Sequence, residues 1–448
     1  MELTVVTPRF GGATRTGSLT FGQEYMASAF IAHMALYRNE GATSESLGWN
    51  VTAEITSPPQ MKFDVAIEAL SAVTAAHEGL RTLLELGGNR GRQVAFDQVI
   101  WGYEQKAGAT RADLDEPELD LRPNDSPWAL AVLSEGKQVL DIRFVGHHAL
   151  FDAFSAHMVK ERLEQAFDEG ISFAPTSTGS SLDYAEEQRS ASWQSRRERA
   201  ELYFKSAGDH VRTGTRLRRS MCQVTTDTRV LFVSASRLRR AAATLGVSAA
   251  AALHAASARA VSQELDYPIL LHEIACSNRT RRQTRELLTN LAQFTPLRAG
   301  STTGADSELA SARDMHRLHL QAMAHGEYDP RLRIDHLRDW EPDADSYGLP
   351  TFLFNHVPLS SHSLAPGPHI QVQDVSASEN AGAFAAAYTT EEQDTVIVKL
   401  GIIDASETAI QTRVLASMHD TVEKFLSVLV SGGHGADAPV AEFHHDRA

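Results

Sequence analysis

Apolar and polar residues alternate along several short runs of the chain and recur at helical spacing along longer ones. Val51 to Ile55 alternates as a strand does. Phe63 to Leu83 places Val65, Leu70, Val73, Leu80 and Leu83 near helical spacing, which predicts one helix. Its end falls in the run His77-Glu78-Gly79-Leu80-Arg81-Thr82. A hairpin follows: Ala129 to Leu133 is one strand, Ser134-Glu135-Gly136-Lys137 the turn, and Gln138 to Val145 the return strand. In the return strand Leu140, Ile142 and Phe144 share one face, and Val139, Asp141, Arg143 and Val145 the other. Trp128, beside Pro127, anchors the hairpin in the core. A helix from Ala153 to Phe167 carries Met158, Val159, Leu163 and Phe167 on one side.

Turn formers then crowd the stretch from Ala174 to Ser181, which marks a boundary between lobes. The mixture of elements repeats beyond it. Ala235 to Leu265 is alanine-rich and helical, with a break at Gly246-Val247-Ser248 and Ser248 as an N-cap. Ile269 to Ala275, Thr351 to Val357 and Thr395 to Ile402 read as strands, and Ala409 to Leu429 as a long amphipathic helix. The expected fold is mixed α/β (α+β), with one lobe over residues 1–175, a second over 182–433 and a loose polar tail over 434–448.

Bulk properties narrow the function classes. A chain of 448 residues exceeds one compact core, so more than one domain is expected. Its net charge of -15 disfavours unspecific nucleic-acid binding, because phosphates are repelled. Met1 to Phe10 lacks the apolar core of a signal peptide, and no run of about 18 apolar residues predicts a membrane span. A cytoplasmic protein with no membrane partner is the expectation. The two cysteines, Cys222 and Cys276, have no histidine or cysteine cluster at metal-ligand spacing, and His434, His444 and His445 lie in the tail without fixed partners. No metal is expected.

The sharpest chemical feature is His147-His148-Ala149-Leu150-Phe151-Asp152, between a predicted strand end and a predicted helix. Continued alternation through Gly146 would turn His148 inward, to the side of Leu140, Ile142 and Phe144. There a neutral imidazole is favoured and can accept a proton. Against this, paired histidines arise by chance among 19, and Asp152 alone serves as a helix N-cap.

With these residues in view, the sequence resembles the condensation-domain family of nonribosomal peptide synthesis, whose signature is His-His-x-x-x-Asp-Gly. Leu19-Thr20-Phe21-Gly22-Gln23 looks like the family's opening motif, and His77 to Thr82 its His-Glu-x-Leu-Arg-Thr helix end. Ser277-Asn278-Arg279 resembles the motif with a buried arginine, Leu291 to Arg298 a diverged Phe-x-Asn-Thr-x-Pro-x-Arg segment, and Thr351 to Asn355 a later core strand. The similarity spans about Leu19 to Leu429. It implies two chloramphenicol acetyltransferase-like lobes in a V-shaped pseudo-dimer with a central tunnel.

It also implies roles. His148 would be the general base or would orient the nucleophile, and His147 would be mainly structural. Asp152 would hold the loop through an ion pair with Arg279, with Arg143 as the competing partner. Ala153, Ser155, Asn278 and Gln293 would line the tunnel. No cofactor would be bound: the acyl donor would ride on the phosphopantetheine of a separate acyl- or peptidyl-carrier protein, and the acceptor would be a small molecule bearing a hydroxyl or amine. Ala153 departs from the family's glycine, and Gln293 stands where asparagine is frequent. The basic islands Arg196-Arg197-Glu198-Arg199 and Arg216-Leu217-Arg218-Arg219 are either solvated helix faces or steering patches for an acidic carrier protein.

Three other readings stand beside this one. The first is an acyl-CoA-dependent transferase of the same superfamily, although the plant-type Asp-Phe-Gly-Trp-Gly motif is absent. The second is a non-catalytic recruitment module, which the intact His147, His148 and Asp152 oppose. The third is an epimerising relative, which shares the histidine pair.

Overall fold

The alternating runs pair into two six-stranded sheets, each backed by helices. The computed structural model describes residues 1–37, 50–86, 91–115, 119, 121–170, 179–212, 217–218, 229–264, 271–297, 308–340, 347–348, 351–357, 385–392, 394–402, 413–414 and 416–424. In chain order the first half contains β1 (Glu2–Ser18), α1 (Phe21–Tyr37), β2 (Asn50–Ile55), α2 (Phe63–Ala76), β3 (Thr82–Glu85), β4 (Arg92–Ala107), α3 (Arg111–Asp115), β5 (Trp128–Glu135), β6 (Gln138–His147) and α4 (Ala153–Glu169). Next come α5 (Ser181–Arg189), α6 (Gln194–Arg212), β7 (Leu217–Arg218), β8 (Arg229–Ser234), α7 (Ala235–Leu245), α8 (Ala249–Glu264), β9 (Leu271–Cys276), α9 (Arg282–Arg285) and β10 (Gln293–Pro296). They are followed by α10 (Glu308–Ala324), α11 (Pro330–Trp340), β11 (Tyr347–Gly348), β12 (Thr351–Val357), β13 (Ala385–Glu392) and β14 (Thr395–Ile402).

The first sheet is antiparallel throughout, in the order β2-β6-β5-β1-β4-β3. The second runs β10-β9-β12-β13-β14-β8, with β12 parallel to both of its neighbours. Each sheet has its own apolar core. Among the described residues no single helix is long and apolar enough to cross a membrane. Of the expected helix over Ala409–Leu429, residues 413–414 and 416–424 are helical; the rest lies outside the described residues, as do Cys222, Arg216, Arg219, Arg298 and the tail.

Two expectations need correction. The return strand is not a simple alternation. Leu133 pairs with Asp141 but Ser134 with Val139, so Leu140 is the extra residue of a bulge. Val139 therefore joins Ile142 and Phe144 in the core, while Leu140 is half-buried. The helix expected to reach Leu83 stops at Ala76. A single 3-10 turn, Glu78–Arg81, then leads into β3. The cause is tertiary: a Cβ at Gly79 would run into the backbone of Leu288, so this turn is shaped by a segment over two hundred residues away. Trp128 is fully buried as expected, and its Nε1 donates to the Leu80 carbonyl at 3.0 Å.

That distant segment, Leu287 to Leu291, joins the two halves. Leu288 sits in the first sheet's core, and Leu287 and Leu291 pack with Phe21, Tyr184 and Trp193. Thr20 and Gln23 cap α1 reciprocally: Thr20 N donates to Gln23 Oε1 at 2.8 Å, and Gln23 N to Thr20 Oγ1 at 3.1 Å. The same Thr20 hydroxyl donates to the Asn290 carbonyl at 3.0 Å. A Cβ on Gly22 would stand 2.5 Å from Leu291 Cα, so glycine is required there for close approach. Gly79→Ala should accordingly lower stability by about 1–3 kcal/mol through overpacking, read as a shift of the urea unfolding midpoint.

Candidate active site

Strand β6 delivers its last residue, His147, into a tight turn whose Leu150 and Phe151 amides both donate to the His147 carbonyl. His147 is fully buried. Its Nδ1 accepts from Ala149 N at 3.1 Å, so the proton sits on Nε2. Burial, with His148 alongside, lowers its pKa to about 3. The ring also meets Phe30 edge-on, with centroids 4.8 Å apart. It is a neutral strut of the turn.

His148 lies beyond the strand, so alternation along β6 does not decide where it points. The turn does. Its Nδ1 is 2.8 Å from the Phe151 carbonyl oxygen, which only accepts, so Nδ1 carries the proton and Nε2 keeps its lone pair. Asn290 donates to the His148 carbonyl at 2.5 Å and fixes the turn from the other half of the chain. The residue is half-buried, and packing around the ring lowers its pKa below the ordinary imidazole value despite the Phe151 hydrogen bond and the nearby Asp152 charge. The result is a neutral imidazole with an available basic nitrogen.

Asp152 is the N-cap of α4, accepting from Ser155 N at 2.8 Å and Ser155 Oγ at 2.9 Å. It also accepts from Arg279 Nη2 at 2.9 and 3.0 Å, and its Oδ2 from Leu291 N at 3.1 Å. The Asp152 and Arg279 side chains are only 4% and 3% exposed. Arg143 faces Glu54 in the β2–β6 register, and Arg279 makes the pair. Arg279 Nη1 donates to the carbonyls of Thr284 and Leu287 at 3.0 and 2.8 Å, and Nη2 to that of Thr289 at 2.7 Å. Asn278 aims this arginine. It has a left-handed φ of 57°, tolerated best by glycine and asparagine, and its Nδ2 donates to the carbonyls of Leu291 and Gly326 at 2.8 and 3.0 Å.

A cavity of about 710 Å³ opens beside this pair, lined by Phe154 and Asn278 among others. Of Ala153, Ser155, Asn278 and Gln293, Asn278 is the one that lines this cavity. Ala153 opens α4, and no positive φ is recorded there, so the helix start needs no glycine. Ser155 is fully buried, and its hydroxyl, which donates to Asp152, lies 2.8 Å from the Thr289 carbonyl oxygen. Gln293 is buried too, donating to the Tyr328 carbonyl at 2.9 Å. Both are short polar ties between backbone segments, which sequence proximity to a motif does not reveal. His148 is not among the residues lining this cavity. The sequence reading missed Asn290, which precedes the diverged motif by one position, and Phe154, over whose ring Arg279 lies at 5.7 Å.

The arrangement, a buried carboxylate–guanidinium pair bracketing a histidine turn between two sheet-and-helix layers, was compared with known proteins. No family profile and no curated protein sequence matches the chain. Solved structures do match. PapA2 acyl transferase superposes with a TM-score of 0.67 at 10% identity, covering 96% of this chain and 97% of that one. SgcC5 from Streptomyces globisporus gives 0.66 at 15% identity, covering 92% and 98%. The condensation domain of the Monacolin K polyketide synthase MokA gives 0.67 at 15% identity, covering 93% and 98%. The chain has the condensation-domain fold. Within that fold the described residues include no group of three or more His, Cys, Asp or Glu able to hold a metal ion.

Two predictions follow from the buried groups of this condensation-fold site. Asp152→Ala leaves the Arg279 charge uncompensated and should cost roughly 3–5 kcal/mol in chemical denaturation. The second concerns acid. Burial lowers the pKa of His77 and His272 to about 4 and of His147 and His319 to about 3. Below the unfolded imidazole value of about 6.5, the unfolded chain binds protons that the native one refuses. Stability should therefore be complete above that pH and fall as pH drops from about 6.5 to about 4, by on the order of 1 kcal/mol per imidazole per pH unit. Urea midpoints at pH 7.5, 6.0 and 5.0 check the sign.

Proposed function

We propose that the chain is an acyltransferase that condenses a thioester-bound acyl group with a hydroxyl or amine acceptor. The observation that carries this reading is His148: its Nδ1 proton is committed to the Phe151 carbonyl, leaving Nε2 as a base. In the step proposed, the acceptor's O–H or N–H proton passes to His148 Nε2 as its oxygen or nitrogen bonds to the thioester carbon. The C–S bond then breaks, and the thiolate takes the proton back from the imidazolium. Proton and electron pair both balance with no further reactant. Asp152 acts on geometry, through the turn and Arg279, and not on protons.

The donor is proposed to be a phosphopantetheine thioester on a separate carrier protein, with no resident cofactor. The fold neighbours support this breadth, being acyl transferase and condensation domains of polyketide and peptide synthetases. An acyl-CoA donor is the second reading, favoured by a neighbouring starter condensation domain solved with C8-CoA. The lobes are proposed as 1–175 and 182–433, with the histidine turn on the first.

Of the basic islands, the first is tied internally. Arg197 donates to the carbonyls of Gln188 and Ser190, and Arg196 lies over Trp193. Arg199 is the member left to steer a carrier protein. Mixing the protein with an acyl-loaded carrier protein or the matching acyl-CoA, plus hydroxyl and amine acceptors, tests the donor. Equal turnover from acyl-CoA alone would sink the carrier reading.

His148→Ala should lower turnover by about 10²–10⁴-fold while leaving the fold intact. Because burial lowers this imidazole's pKa, the acid limb of the pH–rate profile should lie below about 6.5. Full activity in His148→Ala would overturn the role given to His148.

A further inference from the structure

The 710 Å³ cavity gathers positive charge on its wall, in a chain whose net charge is -15. Arg196 and Arg199 reach it from α6, one helical turn apart, and Arg281 from the segment between β9 and α9. The Arg196 and Arg281 guanidiniums both pack on Trp193, 4.7 and 4.9 Å from its ring centroid, so two like charges share one indole. The crowding is felt at Arg196. Burial and repulsion from Arg281 and Arg199 push its pKa below the ordinary guanidinium value, against the pull of Glu187.

Too few carboxylates face these arginines. Arg281 takes Glu187 at 3.0 Å and Glu327 at 3.2 Å, and Arg196 is left 3.9 Å from Glu327. Arg199 has no hydrogen bond or ion pair among the described residues. Two carboxylates therefore stand against three guanidiniums. Burial pushes the Glu327 carboxyl up to about 8, which weakens even that offset near neutral pH. At least one positive charge on the wall is left without a partner.

The rest of the lining adds donors and apolar surface, not negative charge. Among the described residues that line the cavity, Glu327 is the only carboxylate. Cys276 is a neutral thiol, pushed up to about 11 by burial. His319 lies 2.8 Å from His254, which lies 3.3 Å from His272, and burial keeps all three rings neutral. The loop over 277–281 contributes Ser277, Asn278 and Thr280 beside Arg281, and neither the Ser277 nor the Thr280 hydroxyl has a partner among the described residues. The start of α8, with Ser248 and Ala250, opens on the same cavity and brings the positive end of that helix's dipole. Phe154, Ile274 and Phe354 form an apolar part of the wall. The volume lies within the roughly 300–1,000 Å³ of small-molecule sites.

We infer that this wall holds a singly charged oxyanion at Arg196, Arg199 and Arg281, at one end of a molecule whose apolar body lies against Phe154, Ile274 and Phe354. A carboxylate and a phosphodiester share that chemistry. Each spreads one negative charge over two oxygens, which a guanidinium fork meets in pairs. Arg196 and Arg199 stand at the exposed side of the cavity, so salt screens them and binding weakens as ionic strength rises. The inference goes beyond acyl transfer and does not depend on which thioester, if any, is the donor.

Binding is titrated calorimetrically without an acyl donor, so its outcome is independent of whether acyl transfer occurs. Four probes sharing a six-carbon chain serve: hexanoate, hexyl methyl phosphate, hexan-1-ol and hexylammonium. At least one of the two anions should bind about tenfold or more tighter than the alcohol and the ammonium, and the tighter anion names the source of the charge. Arg199→Glu, at an exposed position, should weaken that anion about tenfold or more and leave the alcohol unchanged. Arg199→Gln should act in the same direction, and decides the matter if the charge reversal harms folding. No binding of either anion, an alcohol or ammonium that binds as tightly as both, or an anion affinity unchanged in the Arg199 variants would overturn the assignment.

Discussion

A carboxylate buried far from water constrains everything around it. Asp152 resolves the cost of its charge by gathering donors from three places: the first turn of its own helix, the Arg279 guanidinium and the Leu291 amide. Desolvating such an ion costs several kcal/mol, which only close partners offset. The partners here come from both halves of the chain, so the charge is satisfied only when the Leu287–Leu291 segment is docked. The arginine is equally committed, with carbonyls of Thr284, Leu287 and Thr289 around it. One ion pair thereby ties the start of α4 to the loop after β9.

The histidine turn inherits its shape from that docking. His148 stands four positions before Asp152, and Asn290, one residue from Leu291, holds the His148 carbonyl. The same few residues that neutralise the carboxylate therefore set the ring that has the free nitrogen. Glycine at positions 22 and 79 allows the segment to approach this closely, since side chains there would strike Leu291 and Leu288. Stability and reactivity share one set of contacts, but a carboxylate used in this way is unavailable for proton transfer.

What could be read in the sequence was local. The strand, turn and helix around His147–Asp152 follow from patterning, and so do the Ser248 cap and the break at Gly246, whose φ of 69° is left-handed. What was hidden was non-local. The bulge at Leu140 flips the facing of Val139, because pairing with β5 decides it and the strand's own alternation does not. Helix α2 ends early because Leu288 lies across Gly79, a fact recorded nowhere near either residue. Ser155 and Gln293 look like lining residues by their closeness to motifs; in three dimensions their hydrogen bonds face inward. The chain of His254, His272 and His319 was equally invisible, since its members are spread across α8, β9 and α10.

The two groups of histidines show burial used in two ways. At His148 it removes the competing proton while one hydrogen bond selects which nitrogen stays basic. At His319 it keeps three rings neutral so that their hydrogen bonds can reverse together. At His148 this burial outweighs the Asp152 charge, which on its own would favour the imidazolium. Glu327, on the cavity wall, is bonded to Arg281 and Gln188, and Glu273 to Arg333. What keeps the His148 ring neutral is therefore the balance between its packing and the Asp152 charge, and the contacts that hold Asp152 in place set both sides of it.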